Sequence, residues 1–195
     1  MSDQVLWYAT RGAGAVSLVL LTLVVVLGVL SSLRFQTAGW PRFLTPGLHR
    51  NVALTSVVFT GLHVVTAVID PFTNLGWVSA VVPFSSGYRT FWLGLGTIAA
   101  ELVAAIVVTS LLRGLIGHAA WRVIHWLTYA SWPIGVVHGL GTGTDAWSAW
   151  FFALTCACVA AVSFAVVYRL VAGPRDPLAE PRASFRSGVE RKPEP

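Results

Sequence analysis

The chain has 195 residues, of which 55% are hydrophobic and only 11% charged, against roughly 25% charged in an ordinary soluble domain. So much apolar surface excludes a soluble globular protein, and the surplus must face lipid. The net charge of +5 does not describe a nucleic-acid binder, because the basic residues do not cluster with aromatics on one soluble surface.

A hydrocarbon core about 30 Å thick takes roughly 20 helical residues to cross. Five apolar runs reach that length, at about 13–33, 48–69, 90–112, 121–140 and 148–172. Backbone groups in lipid must be satisfied within the segment, so each run predicts a helix. The first is too long and too rich in valine and leucine for a cleavable signal, and is expected to be retained. Punctuated stretches separate the runs: Gly39, Trp40 and Pro41, then residues 70–87 with Pro71 and Pro83, then a glycine-rich turn at 139–143. The expected fold is all-α, a polytopic transmembrane bundle of about five spans over residues 1–172. Residues 173–195, rich in proline and charge, are expected to form a disordered cytoplasmic tail. Cys156 and Cys158 stand inside the last run with one residue between them, which offers neither a disulfide framework nor a CxxCH attachment motif. They read as small buried apolar residues.

Lys and Arg set the orientation. Arg34, Arg42, Arg50, Arg113, Arg122 and Arg169, with five more in the tail, fall on one side, and only Arg11 and Arg89 fall opposite. Eleven against two predicts an amino terminus outside the cell membrane and a carboxyl terminus in the cytoplasm.

An ionisable residue inside a membrane helix is costly and points to function. His49 and His63 lie on the second run, His125 and His138 on the fourth, and His118 just before the fourth. One span separates the two runs, so they cross in the same direction and equal depths pair equal ends. The spacings are 14 and 13 residues, or about 21 and 20 Å along a helix at ~1.5 Å per residue. His49 is thus expected opposite His125 near the cytoplasmic side, and His63 opposite His138 near the outer side. Two imidazoles on facing helices are how a bundle holds a low-spin haem, and two haems b at different depths divide the bilayer into short electron hops. Zinc needs ligands converging on one point with bonds of about 2 Å, which residues ~20 Å apart on a helix do not provide. A proton or divalent-metal pathway and purely structural roles stay open beside the haem reading. One detail resists: at ~100° per residue a 14-residue step returns within about 40° of the same face, whereas a 13-residue step misses by roughly 140°. Pro133, followed by Gly135, predicts a kink that absorbs the error. His118 reads as a propionate contact, a substitute ligand or an interfacial residue.

The segments GLHRNVALTSVVFTGLHVV and WRVIHWLTYASWPIGVVHG resemble the ferric-reductase-like transmembrane domain, a family that includes ferric reductases, NADPH oxidases and the haem subunit of methionine sulfoxide reductase systems. The resemblance covers about residues 11–172. It implies two haems b as cofactors, one between His49 and His125 and one between His63 and His138, with those four histidines as iron ligands. Larger members append a flavin- and nicotinamide-binding domain and use six spans. Here a short tail follows five, and no FAD or NAD(P) site is evident. The fragments at 94–96 and 139–143 read as packing or turn glycines, because neither joins a strand to a soluble helix.

Haem propionates need cationic partners, for which the planar fork of arginine is suited. Arg50 and Arg122, beside the inner histidines, are the preferred candidates for binding the cofactor, over Arg11, Arg42 and Arg89. Glu101, midway along the third run, reads as a buried proton relay, a hydrogen-bond partner of a ligating histidine, or a structural polar group. The tryptophans, Trp7, Trp40, Trp77, Trp92, Trp121, Trp147 and Trp150 among them, read as interfacial belts. The expected function is a membrane oxidoreductase component that passes electrons through two bis-histidine haems. Its donor is a cytoplasmic flavin reductase or a quinol, and its acceptor an extracytoplasmic protein or small molecule. A quinol-linked subunit of a partner reductase is one alternative, and a haem-free, histidine-lined transporter or channel is the alternative from another class.

Overall fold

The computed structural model describes residues 3–37, 39–71 and 73–172, which are helical with short connections. The expected tail at 173–195 lies outside the described residues. Helices α1 (Asp3–Ser32), α2 (Leu44–Ile69), α3 (Thr90–Leu111), α4 (Arg113–Ile116), α5 (His118–His125), α6 (Thr128–Thr142) and α7 (Ala149–Ala172) follow in order, with a single 3₁₀ turn at Trp77–Ala80 before α3. Four of them, α1, α2, α3 and α7, are long and apolar enough to cross a bilayer, and the chain is a multi-pass membrane protein. Large apolar side chains such as Leu115, Phe164 and Val171 stand exposed around the bundle, where lipid rather than water is the solvent.

The fourth expected span differs from the single helix drawn from its hydropathy. It is two short helices, α5 and α6, meeting at Trp126 and Leu127. Amides there reach carbonyls three residues back: Leu127 to Ile124, Tyr129 to Trp126 and Ala130 to Leu127. A 3₁₀ winding turns ~120° per residue instead of ~100°, so each such residue adds roughly 20°. Over the four to six residues involved, that recovers most of the ~140° by which a straight 13-residue step falls short. Helix α6 continues through Pro133, and this overwound stretch, which contributes to the phase, lies half a dozen residues before it. The glycine-rich segment at 139–143 is likewise helical up to Thr142 and turns only at Gly143.

Packing divides the bundle into two hairpins. Helix α1 lies along α2, and α3 lies along α6 and α5, while α1 also carries α7 and touches α6. Val24, Val25, Val29 and Leu33 bury the α1 side of this core, and Ala165 of α7 meets Val29 and Leu33. Helix α2 scarcely touches α5 or α6 at the backbone. The two histidine-bearing elements instead face one another across a gap.

The connection at 70–89 folds back onto α3. Thr97 donates to the Ser79 carbonyl at 2.8 Å, and the Phe84 ring lies against Gly94, where a β-carbon would stand 2.2 Å from it. Arg89, at φ 41 just before α3, ties α3 to its neighbour by donating to the carbonyls of Gly141 and Thr142 at the end of α6. A cation placed on open helix-terminal carbonyls is favourable.

Candidate functional site

Two histidine pairs span the gap. His49 of α2 faces His125 at the end of α5 with ring centroids 6.1 Å apart, and His63 of α2 faces His138 of α6 at 6.2 Å. In both pairs the rings stand edge-on to one another, at 64° and 77° between their planes. One metal between two imidazoles, with bonds of roughly 2 Å and roughly 1.1 Å from ring nitrogen to ring centre, requires about 6.2 Å.

The orientation of each ring follows from the helix behind it. His63 donates Nδ1–H to the Thr10 carbonyl at 2.8 Å, His49 to the Val24 carbonyl at 3.0 Å, and His138 to the Trp92 carbonyl at 2.8 Å. A carbonyl only accepts, so Nδ1 carries the proton in all three and Nε2 keeps its lone pair. Each accepting carbonyl sits four residues before a glycine: Gly14, Gly28 and Gly96. A helical side chain covers the turn N-terminal to its own Cα, so a missing side chain opens the carbonyl one turn back to a second donor. A β-carbon at these glycines would stand 2.9 Å from His63, 3.3 Å from His49 and 2.4 Å from His138. His125 differs, having Ser110 behind it: their polar atoms, Oγ and Nδ1, lie 3.5 Å apart.

These four backing positions escaped the sequence analysis, although they carry a signal. Gly14 and Gly28 are 14 residues apart, as are Gly96 and Ser110, the same interval as His49 and His63. The repeat is of helix hairpins, each pairing a 14-residue backing ladder with a histidine ladder. The glycine at 94–96 that reads from sequence as a packing residue is thus, at Gly96, packing against a functional ring.

A largely apolar cavity opens between the hairpins at the His63 and His138 end. Thr10, Ser17 and Thr60 line it, and their hydroxyl oxygens are buried without a hydrogen-bond partner. Buried polar atoms without partners point to a group that the protein alone does not supply. Trp132 reaches in from α6 and donates to Thr22 at 3.1 Å. Arg11 closes the rim through an ion pair with Asp145 and a 2.8 Å bond to Thr144, its guanidinium stacked over Trp7.

The remaining candidates fall elsewhere. Arg50 and Arg122 are exposed at the arginine-rich end, near His49 and His125 in sequence, and form no ion pair among the described residues. His118 is exposed at the start of α5, with Trp121 between it and His125: the Trp121 ring lies 5.2 Å from one and 5.0 Å from the other. Glu101 is exposed rather than buried, and at ~100° per residue it points about 160° away from Val103, between Gly96 and Ser110. It cannot orient a histidine across the helix. Cys158 is buried as expected, but Cys156 is exposed. Among the described residues no three His, Cys, Asp or Glu side chains converge to hold a bare metal ion.

The donor set therefore suits an iron that brings its own equatorial ligands, as haem does, and the partnerless hydroxyls and the gap between α2 and α6 fit such a group. A family model, "Ferric reductase like transmembrane component", matches residues 13–136. The chain belongs to that family. Neither the curated proteins nor the solved structures gave a match. As a ferric-reductase-like component the chain falls among membrane oxidoreductase components. The matched residues include Gly14, Gly28, His49, His63, Gly96, Ser110 and His125. His138 stands two residues beyond the match, and its pairing rests on the geometry alone.

Proposed function

We propose that this protein carries electrons across the cell membrane through two haems b, one held by His49 and His125 and the other by His63 and His138. The observation that supports this reading is the pair of 6.1 and 6.2 Å imidazole separations, coupled to Nδ1 hydrogen bonds that leave Nε2 lone pairs for a metal. Haem supplies a one-electron ferric/ferrous couple at each depth. Carbonyls of Thr10, Val24 and Trp92 fix the tautomer and the plane of their histidines, which strengthens an imidazole as a ligand. Because two histidines would hold each haem, direct binding of oxygen to its iron would be disfavoured. Electrons leave one at a time at the outer edge.

The arginine-rich end lies in the cytoplasm, so His49 and His125 form the entry site. There a flavin reductase or a quinol is oxidised. His63 and His138 form the exit site, where an extracytoplasmic protein or small molecule is reduced. The capping connection, with Trp77, Val78 and Val81 exposed, lies over that exit.

Haem content tests the reading. Purified protein should yield close to two haems b per chain by pyridine haemochrome assay, with sharp low-spin bands on dithionite reduction. Replacing His63 or His138 by alanine should remove one haem and leave the other, and replacing His49 or His125 should do the converse. Protein that folds and inserts but holds no haem would return the chain to the histidine-lined transporters.

A further inference from the structure

We infer that Ser110 is the positioning residue of the His49/His125 site, where its hydroxyl stands in for the open backbone carbonyl that orients each of the other three histidines. The inference rests on the haem reading above. The pattern that identifies it is the backing ladder: Thr10 and Gly14, Val24 and Gly28, Trp92 and Gly96, and then Ile106 and Ser110. At the fourth position the side chain covers the carbonyl. Ser110 Oγ lies 2.6 Å from the Ile106 oxygen and donates to it.

A hydroxyl has one proton and two lone pairs. With its proton committed to Ile106, Ser110 can only accept from its other neighbours. Trp121 is one, its indole Nε1–H donating at 3.1 Å. His125 Nδ1, at 3.5 Å, is the other. Nδ1 of His125 must then carry its proton, as in the other three histidines, but its hydrogen bond is long and weak beside their 2.8 to 3.0 Å. The Trp121 ring, tilted 32° to His125 with centroids 5.0 Å apart, compensates by fixing the plane of the imidazole. Trp121 thus both holds Ser110 and braces His125.

A hydrogen bond from Nδ1–H to a strong acceptor makes the imidazole a better donor to the metal, and a stronger donor favours the more highly charged ferric state. His125 is the least polarised of the four, so its iron is easier to reduce than it would be with a carbonyl behind the ring. Removing the Ser110 side chain restores the carbonyl; removing only the hydroxyl, as in alanine, leaves a β-carbon methyl over the carbonyl and no side-chain acceptor. The two changes should therefore move the couple in opposite directions, which loosening of the helix would not do.

Spectrally resolved redox titration of the intact protein tests this. Ser110→Gly should make the His49/His125 haem harder to reduce, by roughly tenfold in its equilibrium, about 59 mV for one electron. Ser110→Ala should make it easier to reduce, Ser110→Thr should stay close to wild type, and the His63/His138 haem should not move in any of them. Two haems whose potentials ignore Ser110, or shift in the same direction for Gly and Ala, would overturn the role of Ser110 alone. Wild-type protein without haem would overturn the reading beneath it.

Discussion

A β-carbon at Gly96 would stand 2.4 Å from the His138 ring, one at Gly14 2.9 Å from His63, and one at Gly28 3.3 Å from His49. These distances rank three otherwise equal alanine substitutions. The rings cannot simply swing aside, since each is tied to a carbonyl on the same helix that would carry the new methyl. Overpacking of this kind costs about 1–3 kcal/mol, equivalent to roughly five- to 150-fold if it falls on haem affinity. Gly96→Ala and Gly14→Ala should deplete the His63/His138 haem, in that order of severity, while Gly28→Ala should leave the His49/His125 haem bound with at most a small spectral change. Haem stoichiometry of the three variants checks the order, and a larger loss for Gly28→Ala than for Gly96→Ala would contradict it. The sequence shows all three glycines but not their duty. Glycine at 14-residue intervals in an apolar run is also what ordinary helix packing requires, and only the ring found opposite distinguishes the two.

Between α5 and α6 the phase of the histidine ladder depends on a short overwound stretch, not on proline. Pro133→Ala should therefore retain both haems, because α6 already runs through that position. Deleting Leu127 should not be tolerated in the same way: removing one residue turns α6 by ~100° relative to α5. His138 would then leave His63 while His125 keeps its place, so the expected product is a one-haem protein lacking the His63/His138 centre. Absorbance spectra of the two variants separate the alternatives. Loss of haem from Pro133→Ala with retention in the Leu127 deletion would put the hinge back at proline. Composition could not locate this break. Proline is a visible helix breaker, whereas a run of tighter turns at Trp126 and Leu127 comes from how α5 and α6 each pack on α3.

At the scale of the whole molecule, charge orients the bundle. The described arginines divide with Arg34, Arg42, Arg50, Arg113, Arg122 and Arg169 at the end that carries His49 and His125, and Arg11 and Arg89 at the other. Such a bias directs the basic end to the cytoplasm. Single cysteines introduced at Ser79 and Gly114, in protein whose own Cys156 and Cys158 are replaced by alanine, should react with an impermeant maleimide only at Ser79 in intact cells. Labelling at Gly114 alone would invert the molecule and exchange the entry and exit sites. The two arginines at the opposite end are already engaged, Arg11 with Asp145 and Arg89 with the end of α6, so they brace the rim of the cavity.

Hydropathy, charge bias and the 14- and 13-residue histidine intervals are one-dimensional quantities, and they sufficed for a helical membrane bundle and two rows of histidines. They could do so because lipid demands long apolar helices, and because depth in a bilayer is proportional to position along a helix. Azimuth is not recorded in that way. Which face each residue presents depends on small errors of winding added over several turns and on the neighbour that each helix meets. Only the tertiary structure turned Glu101 outward, moved the phase correction from Pro133 to Trp126 and Leu127, and brought Gly14, Gly28, Gly96 and Ser110 behind the histidines.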